Sequence, residues 1–347
     1  MRCNILDVAI AVKDLRKTYK AQSDRKRQVM EIRAVDGITF EVARGEFFGL
    51  LGPNGAGKTT TIGVLTTRIR PTGGTALVEG IDVAIHPVAV KRKIAVVPQV
   101  NNLDRSLTGR ENLLFHAEYF GIAKSVREKR AADLLERFQL AERAEEKPGS
   151  YSGGLAQRLK IARALMHDPE IIFLDEPTTG LDPQGRRAIW DLLRELNGRG
   201  QTILLTTHYM EEADQLCQRI AIMDHGKLLA IDPPSRLKAS VPGGYVIDLK
   251  FRADDKAALL LQAALRNLPG VVMVHSQDGR IRMHSDKAEG LLAQAMRLAS
   301  EQGVMVTDAH VAEPSLENLF LNLTGRSLRE CWTWKKARIF GPMTNDK

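Results

Sequence analysis

Residues 52–59 read Gly52-Pro53-Asn54-Gly55-Ala56-Gly57-Lys58-Thr59. This fits the pattern G-x-x-x-x-G-K-[ST]. Glycines let successive backbone N–H groups turn inward around phosphate oxygens. A helix that begins at the end of such a loop adds its positive terminus to the same anion. The lysine, Lys58, is of a length to reach the β- and γ-phosphates of a nucleotide, and Thr59 can offer its hydroxyl to Mg²⁺. Thr60 continues the same turn. A chance glycine turn is the alternative. At an ordinary glycine usage of about 7% a random match in a chain this long is on the order of one per cent. The apolar run Phe47–Leu51 supplies the strand that the motif requires before it.

A second cluster lies at Ile171-Ile172-Phe173-Leu174-Asp175-Glu176-Pro177. It reads as a buried strand that ends in two carboxylates. At the carboxyl edge of a parallel sheet these would stand beside the phosphate loop. Asp175 is then placed to hold Mg²⁺, and Glu176 to polarise an attacking water as a general base. A strand that ends in solvated acids is common by itself; the phosphate loop is what favours the functional reading.

Both clusters need a parallel sheet to position them. Short apolar runs at Phe47–Leu51, Ile94–Val97, 171–174, 203–206 and 220–223 suit strands covered on both faces. Helix-length stretches such as 185–197 lie between them, so the fold class is α/β. Residues 103–165 are more helical, with apolar residues at three- and four-residue intervals over 111–120 and 128–140. They read as a helical subdomain within a domain spanning residues 1–235. Residues 232–244 hold three prolines and two glycines and read as a linker. Beyond them the order is strand 245–251, helix 254–267, a hairpin over 271–275 and 280–284 about Gln277-Asp278-Gly279, helix 288–302 and strand 304–311. That is βαββαβ, the ferredoxin-like order of a small α+β domain over residues 236–325. A further helix is expected near 315–323.

The bulk properties limit the function classes. The chain has 347 residues, 44% hydrophobic and 27% charged, enough for two domains with cores of their own. Its three cysteines, Cys3, Cys217 and Cys331, are too scattered for a disulfide framework or a zinc site, which suits a reducing cytosol. No apolar run approaches the roughly 18 residues that cross a bilayer, and residues 1–17 lack the pattern of a secretion signal. Contact with a membrane is therefore expected through a partner or at the surface. A net charge of +8 admits nucleic acid, anionic lipid or nucleotide and does not choose among them. The tail, residues 326–347, carries Trp332, Trp334, Lys335, Lys336, Arg338 and Phe340. Such a mixture suits a membrane interface, but an ordinary chain terminus is the reading we favour.

Tyr151-Ser152-Gly153-Gly154-Leu155 precedes the acidic strand and opens a helical stretch. This resembles the signature of the ATP-binding-cassette ATPases. The order of phosphate loop, Gln99 in Val97-Pro98-Gln99, signature, acidic strand and His208 in Thr206-Thr207-His208 is similar to theirs over residues 7–235. The resemblance implies a RecA-like P-loop core with a helical subdomain, and ATP with Mg²⁺ as the bound pair. It implies adenine stacking for Tyr19, Mg²⁺ sensing and contact with a membrane subunit for Gln99, and a switch on the γ-phosphate for His208. It makes Ser152, Gly153 and Gly154 the group that touches ATP bound by the opposite subunit, and Asp182 in Gly180-Leu181-Asp182 a residue that crosses the dimer interface. Two departures stand out. Tyr151 replaces the usual leucine and Leu155 the usual glutamine, and residues 20–33 lengthen the path from Tyr19 to Val35-Asp36-Gly37.

Asn102-Leu103-Asp104, then Leu107-Thr108-Gly109-Arg110-Glu111-Asn112-Leu113, and Pro314-Ser315-Leu316-Glu317-Asn318-Leu319-Phe320 resemble the drug-resistance, polysaccharide and nodulation-factor exporter branch. There the ATPase is a separate chain. The resemblance implies a homodimer, or a dimer with a homologous ATPase, working with an integral membrane permease. It places the chain in the cytoplasm, peripheral on the inner face of the cell membrane. A soluble ATPase of the same fold acting on nucleic acid or ribosomes is the rival. Those relatives usually carry two cassettes or coiled-coil insertions, which this chain lacks, so no nucleic acid is expected. A binding-only regulator is disfavoured because Asp175, Glu176 and His208 are all present. His275, His284 and His310 form no recognisable cluster.

Overall fold

A computed structural model describes residues 7–22, 29–252, 255–277 and 279–324. The tail 326–347, Cys3, Cys331, Asp278 of the expected turn and residues 23–28 of the 20–33 stretch lie outside the described residues. The chain divides into two compact units between Ile231 and Asp232.

The first unit opens with two long strands, β1 (Val8–Gln22) and β2 (Val29–Ala43), followed by β3 (Phe47–Leu51) and α1 (Lys58–Leu65). Next come β4 (Gly73–Val78), β5 (Ile81–Asp82), α2 (Pro87–Lys93) and β6 (Ile94–Val97). Three helices follow: α3 (Gly109–Tyr119), α4 (Lys124–Arg137) and α5 (Gly153–Ala164). The unit closes with β7 (Ile171–Asp175), α6 (Pro183–Gly198), β8 (Thr202–Thr207), α7 (Met210–Leu216), β9 (Arg219–Asp224) and β10 (Lys227–Asp232).

The six-stranded sheet runs β10-β9-β3-β8-β7-β6. The pairs β3–β8, β3–β9, β7–β8 and β6–β7 are parallel. Every residue of β3, β7 and β8 is buried, which is why these strands read as unbroken apolar runs rather than alternating ones. In α6, Ile189, Trp190, Leu192, Leu193 and Leu196 form the buried stripe at helical spacing. A capping box fixes the start of α3: the Thr108 hydroxyl accepts from Glu111 N–H while the Glu111 carboxylate accepts from Thr108 N–H.

A second sheet, β2-β1-β4-β5, is antiparallel and was not anticipated as a sheet. Its core residues sit in one apolar cluster with those of the parallel sheet. Phe40 of β2 stacks on Phe48 of β3, ring centroids 5.4 Å apart and planes 2° from parallel. Of the stretch that separates Tyr19 from Val35, the described residues lengthen the pairing of β1 with β2, with Tyr19 opposite Ile32 and Lys20 opposite Glu31.

The second unit begins with α8 (Pro234–Ala239), where the prolines and glycines suggest a linker. The linker reading does not hold for these residues. Proline is tolerated at the first helical position because that N–H has no partner in any case, and Leu237 is buried. Then follow β11 (Tyr245–Arg252), α9 (Asp255–Arg266), β12 (Val271–Gln277), β13 (Arg280–Ser285), α10 (Leu291–Glu301), β14 (Met305–Ala312) and α11 (Leu316–Thr324). The sheet order is β12-β13-β11-β14, with antiparallel neighbours throughout. This is the split arrangement expected of βαββαβ. Ile247, Leu249, Ile281 and Met283 pack on Leu261 and Leu265 of α9 and Ala295 and Ala299 of α10.

Phe48→Ala removes a wholly buried ring between the two sheets of the first unit. It is expected to destabilise the chain by about 3–5 kcal/mol, read as a lowered urea midpoint with an unchanged slope.

Candidate functional site

β3 ends at Leu51 and α1 starts at Lys58, so residues 52–57 form the turn from strand to helix. Gly57, the residue before α1, sits in the left-handed region at φ 107°. A Cβ there would lie 2.3 Å from the Ala34 carbonyl oxygen on β2, and a Cβ on Gly52 would lie 2.3 Å from the Met223 carbonyl oxygen on β9. Two neighbouring strands thus press their backbones against the loop, and only glycine fits. Gly52, Pro53 and Ala56 are buried, while Asn54, Gly55 and Thr59 are exposed and Thr60 is half-buried. A loop shaped in this way, at a helix N-terminus, suits a polyphosphate.

Lys58 is buried and donates from Nζ to the carbonyl oxygens of Gly52 at 2.8 Å and Pro53 at 3.1 Å. Its Nζ stands 3.4 Å from Glu176 Oε1. Burial lowers the Lys58 pKa, and the nearby Glu176 and Asp175 charges oppose that.

The carboxylates at the end of β7 meet this loop. The Thr59 hydroxyl donates to Asp175 Oδ1 at 3.1 Å, and the Thr206 hydroxyl of β8 donates to the same oxygen at 2.7 Å. Hard oxygen donors from a hydroxyl and a carboxylate suit Mg²⁺, so Thr59 and Asp175 could hold it. Glu176 is a non-glycine residue at φ 49°, a strained conformation of the kind that recurs at functional sites. Its N–H donates to the Thr206 carbonyl at 3.0 Å. Its Oε2 accepts from Gln99 Nε2 at 3.2 Å and the Thr179 hydroxyl at 3.2 Å, and His208 Nδ1 lies 3.0 Å away. Burial pushes the Glu176 carboxyl up, but the His208 hydrogen bond and the Lys58 charge outweigh it and hold the pKa below the usual carboxylate value. Glu176 is therefore ionised through the neutral range and ringed by donors.

The structure thus joins Lys58, Thr59, Gln99, Asp175, Glu176 and His208. Among the described residues no hydrogen bond ties Tyr19, Ser152, Gly153, Gly154 or Asp182 to that group. Ser152 is the exposed N-cap of α5, its hydroxyl accepting from Leu155 N–H at 3.4 Å. Gly153 is exposed, and a Cβ on Gly154 would meet nothing. Asp182 is the exposed N-cap residue of α6 and makes no side-chain cap bond. Tyr19 is 39% exposed on β1, with Lys17 Nζ 5.0 Å from its ring centroid. Tyr151 donates its hydroxyl to the Arg143 carbonyl at 2.6 Å.

Sequence reasoning missed Thr179 and Thr206, which hold the two carboxylates. It also missed Lys160 of α5, whose Nζ donates to the Pro98 carbonyl at 3.1 Å and so steadies the segment carrying Gln99. A hydroxyl residue at the carboxyl end of the strand beside β7 was a readable signal for Thr206. No local signal marks Lys160, which lies far from Pro98 in sequence.

A groove of about 1510 Å³ opens beside Asn102, Leu103 and Asp104, close along the chain to Gln99. Val88, Phe115 and Tyr119 line it and are 64%, 66% and 83% exposed.

A family model described as ABC transporter matches residues 35–179. The chain is 38% identical to the doxorubicin resistance ATP-binding protein DrrA of Mycobacterium tuberculosis over 331 residues, covering 92% of this chain and 94% of the relative. It is 38% identical to the Nod factor export ATP-binding protein I of Ralstonia nicotianae, covering 92% and 95%. Among solved structures, a dimeric ATP-binding cassette in a post-hydrolysis state bound to ADP and Pi superposes with a TM-score of 0.58 at 30% identity, covering 65% of this chain and 98% of that one.

Two variants probe the cluster in purified protein. Glu176→Gln keeps the volume and loses the charge. It is expected to bind ATP as the unmodified chain does and to hydrolyse it on the order of a hundredfold more slowly, measured by phosphate release. Lys58→Ala is expected to abolish binding of a fluorescent ATP analogue.

Proposed function

This chain belongs to the ABC transporter ATP-binding family, and we propose that it powers an exporter whose membrane-spanning part is a separate polypeptide. The observation that carries the reading is the environment of Glu176. One ionised carboxylate meets the phosphate-loop lysine, Gln99 and His208 within hydrogen-bonding or ion-pair distance.

The chemistry assigned to these residues is phosphoryl transfer to water. Lys58 and the backbone N–H groups of Asn54, Gly55, Gly57 and Thr59 hold the β- and γ-phosphates. Thr59, Asp175 and Gln99 would hold Mg²⁺, which would supply positive charge against the phosphates. Glu176 Oε2 takes a proton from the attacking water as its oxygen bonds to the γ-phosphorus. The bond to the β-phosphate oxygen breaks and ADP leaves. His208 steadies the γ-phosphate and orients Glu176. Ser152, Gly153 and Gly154, at the N-terminus of α5 with the first two exposed, complete the site of a second copy or a homologous ATPase. Asp182 lies at the same interface. Tyr19, exposed on β1, stacks on adenine. Dimer closure then depends on ATP, and hydrolysis reopens it.

Among the described residues no helix is long and apolar enough to cross a membrane. The groove beside Asn102, Leu103 and Asp104 offers exposed aromatic side chains to a membrane subunit, as interfaces commonly do. Tyr119 and Phe115 would anchor a cytoplasmic segment of that permease and hold the chain on the inner face of the membrane. The names of the relatives above speak of drug resistance and Nod factor export, and we assign this chain to export on that likeness.

Expression of the tagged chain with its neighbouring genes, followed by mild-detergent purification, tests the assignment. The chain is expected to sediment with membranes and bring down an integral membrane protein. The double variant Phe115→Ala/Tyr119→Ala is expected to lose that protein while still binding ATP. A chain that stays soluble and brings down nucleic acid or ribosomes would refute the transport reading and leave the ATPase chemistry standing.

A further inference from the structure

Glu212 lies on α7, the helix that follows His208, and is wholly buried. Among the described residues it makes no hydrogen bond or ion pair to a side chain assigned to nucleotide, metal or water. A carboxylate in a dry interior is costly unless donors face it, and an apolar residue of similar volume is often no less stable. Oε1 of Glu212 accepts from the Thr178 hydroxyl at 2.7 Å and from Trp190 Nε1 at 3.0 Å. Burial pushes its pKa up, against the opposing pull of Thr207, Thr178, Trp190 and the Arg186 charge. Its Oε2 has no hydrogen-bond partner among the described residues.

The origin of the two donors is the telling feature. Thr178, itself wholly buried, lies in the short stretch between Glu176 and Asp182. Trp190 lies on α6, which starts directly after Asp182. A second tie joins the same elements. The Arg186 guanidinium of α6 stands 4.2 Å from the centroid of the Tyr209 ring, and that ring lies 4.1 Å from the His208 ring. Both ties run from the Asp182 side of the molecule to the segment that carries His208. An apolar residue at 212 would fill the space but would leave Thr178 and Trp190 without an acceptor.

We propose that Glu212 is a positioning residue for ATP hydrolysis, clamping the His208 segment to residues 177–182 and α6 so that the placement of Asp182 sets His208 against Glu176. The inference rests on the reading in which Glu176 and His208 serve hydrolysis and Asp182 meets a second copy. It adds a route by which contact at the exposed Asp182 reaches the γ-phosphate side of the same chain.

Four variants of the full-length chain test this, with kcat and KM separated and melting followed in parallel. Thr178→Val and Trp190→Phe each remove one donor and keep most of the volume. Each is expected to lower kcat by roughly tenfold while KM stays within about twofold, with melting within about 4 °C of the unmodified chain. Glu212→Gln keeps an oxygen for both donors and is expected to hold kcat within about threefold. Glu212→Ala is expected to lose on the order of a hundredfold. Should Glu212→Ala fail to fold, the two donor variants carry the result. Unchanged kcat in both donor variants overturns the proposal, as does a rise in KM that follows their loss of melting temperature. Failure of the underlying reading looks different: the unmodified chain itself would neither bind nor hydrolyse ATP, and both inferences would fall.

Discussion

A negative charge on Glu176 at the edge of a buried parallel sheet is the constraint around which the first unit is arranged. Desolvation pushes that carboxyl toward its neutral form, which cannot take a proton from water. The fold answers with donors from separate parts of the chain: Lys58 at the start of α1, Gln99 after β6, Thr179 just beyond β7 and His208 after β8. Because parallel strands all point the same way, the segments that leave β3, β6, β7 and β8 emerge at one edge. An antiparallel sheet with this chain order would send alternate segments to the opposite edge. The topology is therefore part of the electrostatics.

The same edge explains which residues could be read before the fold was known. Lys58, Thr59, Asp175 and Glu176 sit in local patterns whose chemistry follows from a strand leading into a turn. The unbroken apolar runs 47–51, 94–97 and 171–174 locate the strands because both faces are covered. Thr206 and Lys160 were hidden because their roles depend on partners distant in sequence: Thr206 acts on Asp175 across a strand pair, and Lys160 on Pro98 from another helix. The antiparallel sheet was also hidden. Its strands β1 and β2 mix charged with apolar residues because one face is open, and their meaning lies in where the backbone of Ala34 passes. That backbone touches Gly57, so the hairpin is what confines residue 57 to glycine.

Proline and glycine content misled at one place for a physical reason. Pro233 and Pro234 look like punctuation, yet proline also fits the first turn of a helix, where α8 uses it. Composition alone does not separate these uses. The buried Leu237 one turn later does, since a linker has no reason to hide an apolar side chain.

The two departures of the signature from its usual form have structural counterparts. Tyr151 reaches back to the Arg143 carbonyl, and a Cβ at Gly109 would lie 2.5 Å from its hydroxyl oxygen. Gly109 is the first residue of α3, and its N–H donates to the Glu146 carbonyl while that of Arg110 donates to the Ala144 carbonyl. The helix that carries Phe115 and Tyr119 into the groove is thus sewn at its first turn to the segment that ends at Ser152. Leucine has no hydroxyl to make the Arg143 bond, and a larger residue than glycine at 109 would collide with the one that does. Leu155, in place of glutamine, still gives its N–H to the Ser152 hydroxyl, because residue 155 contributes only its backbone to that bond. The cap that orients Ser152 therefore survives the replacement, and the altered tyrosine adds a tie between the groove and the signature.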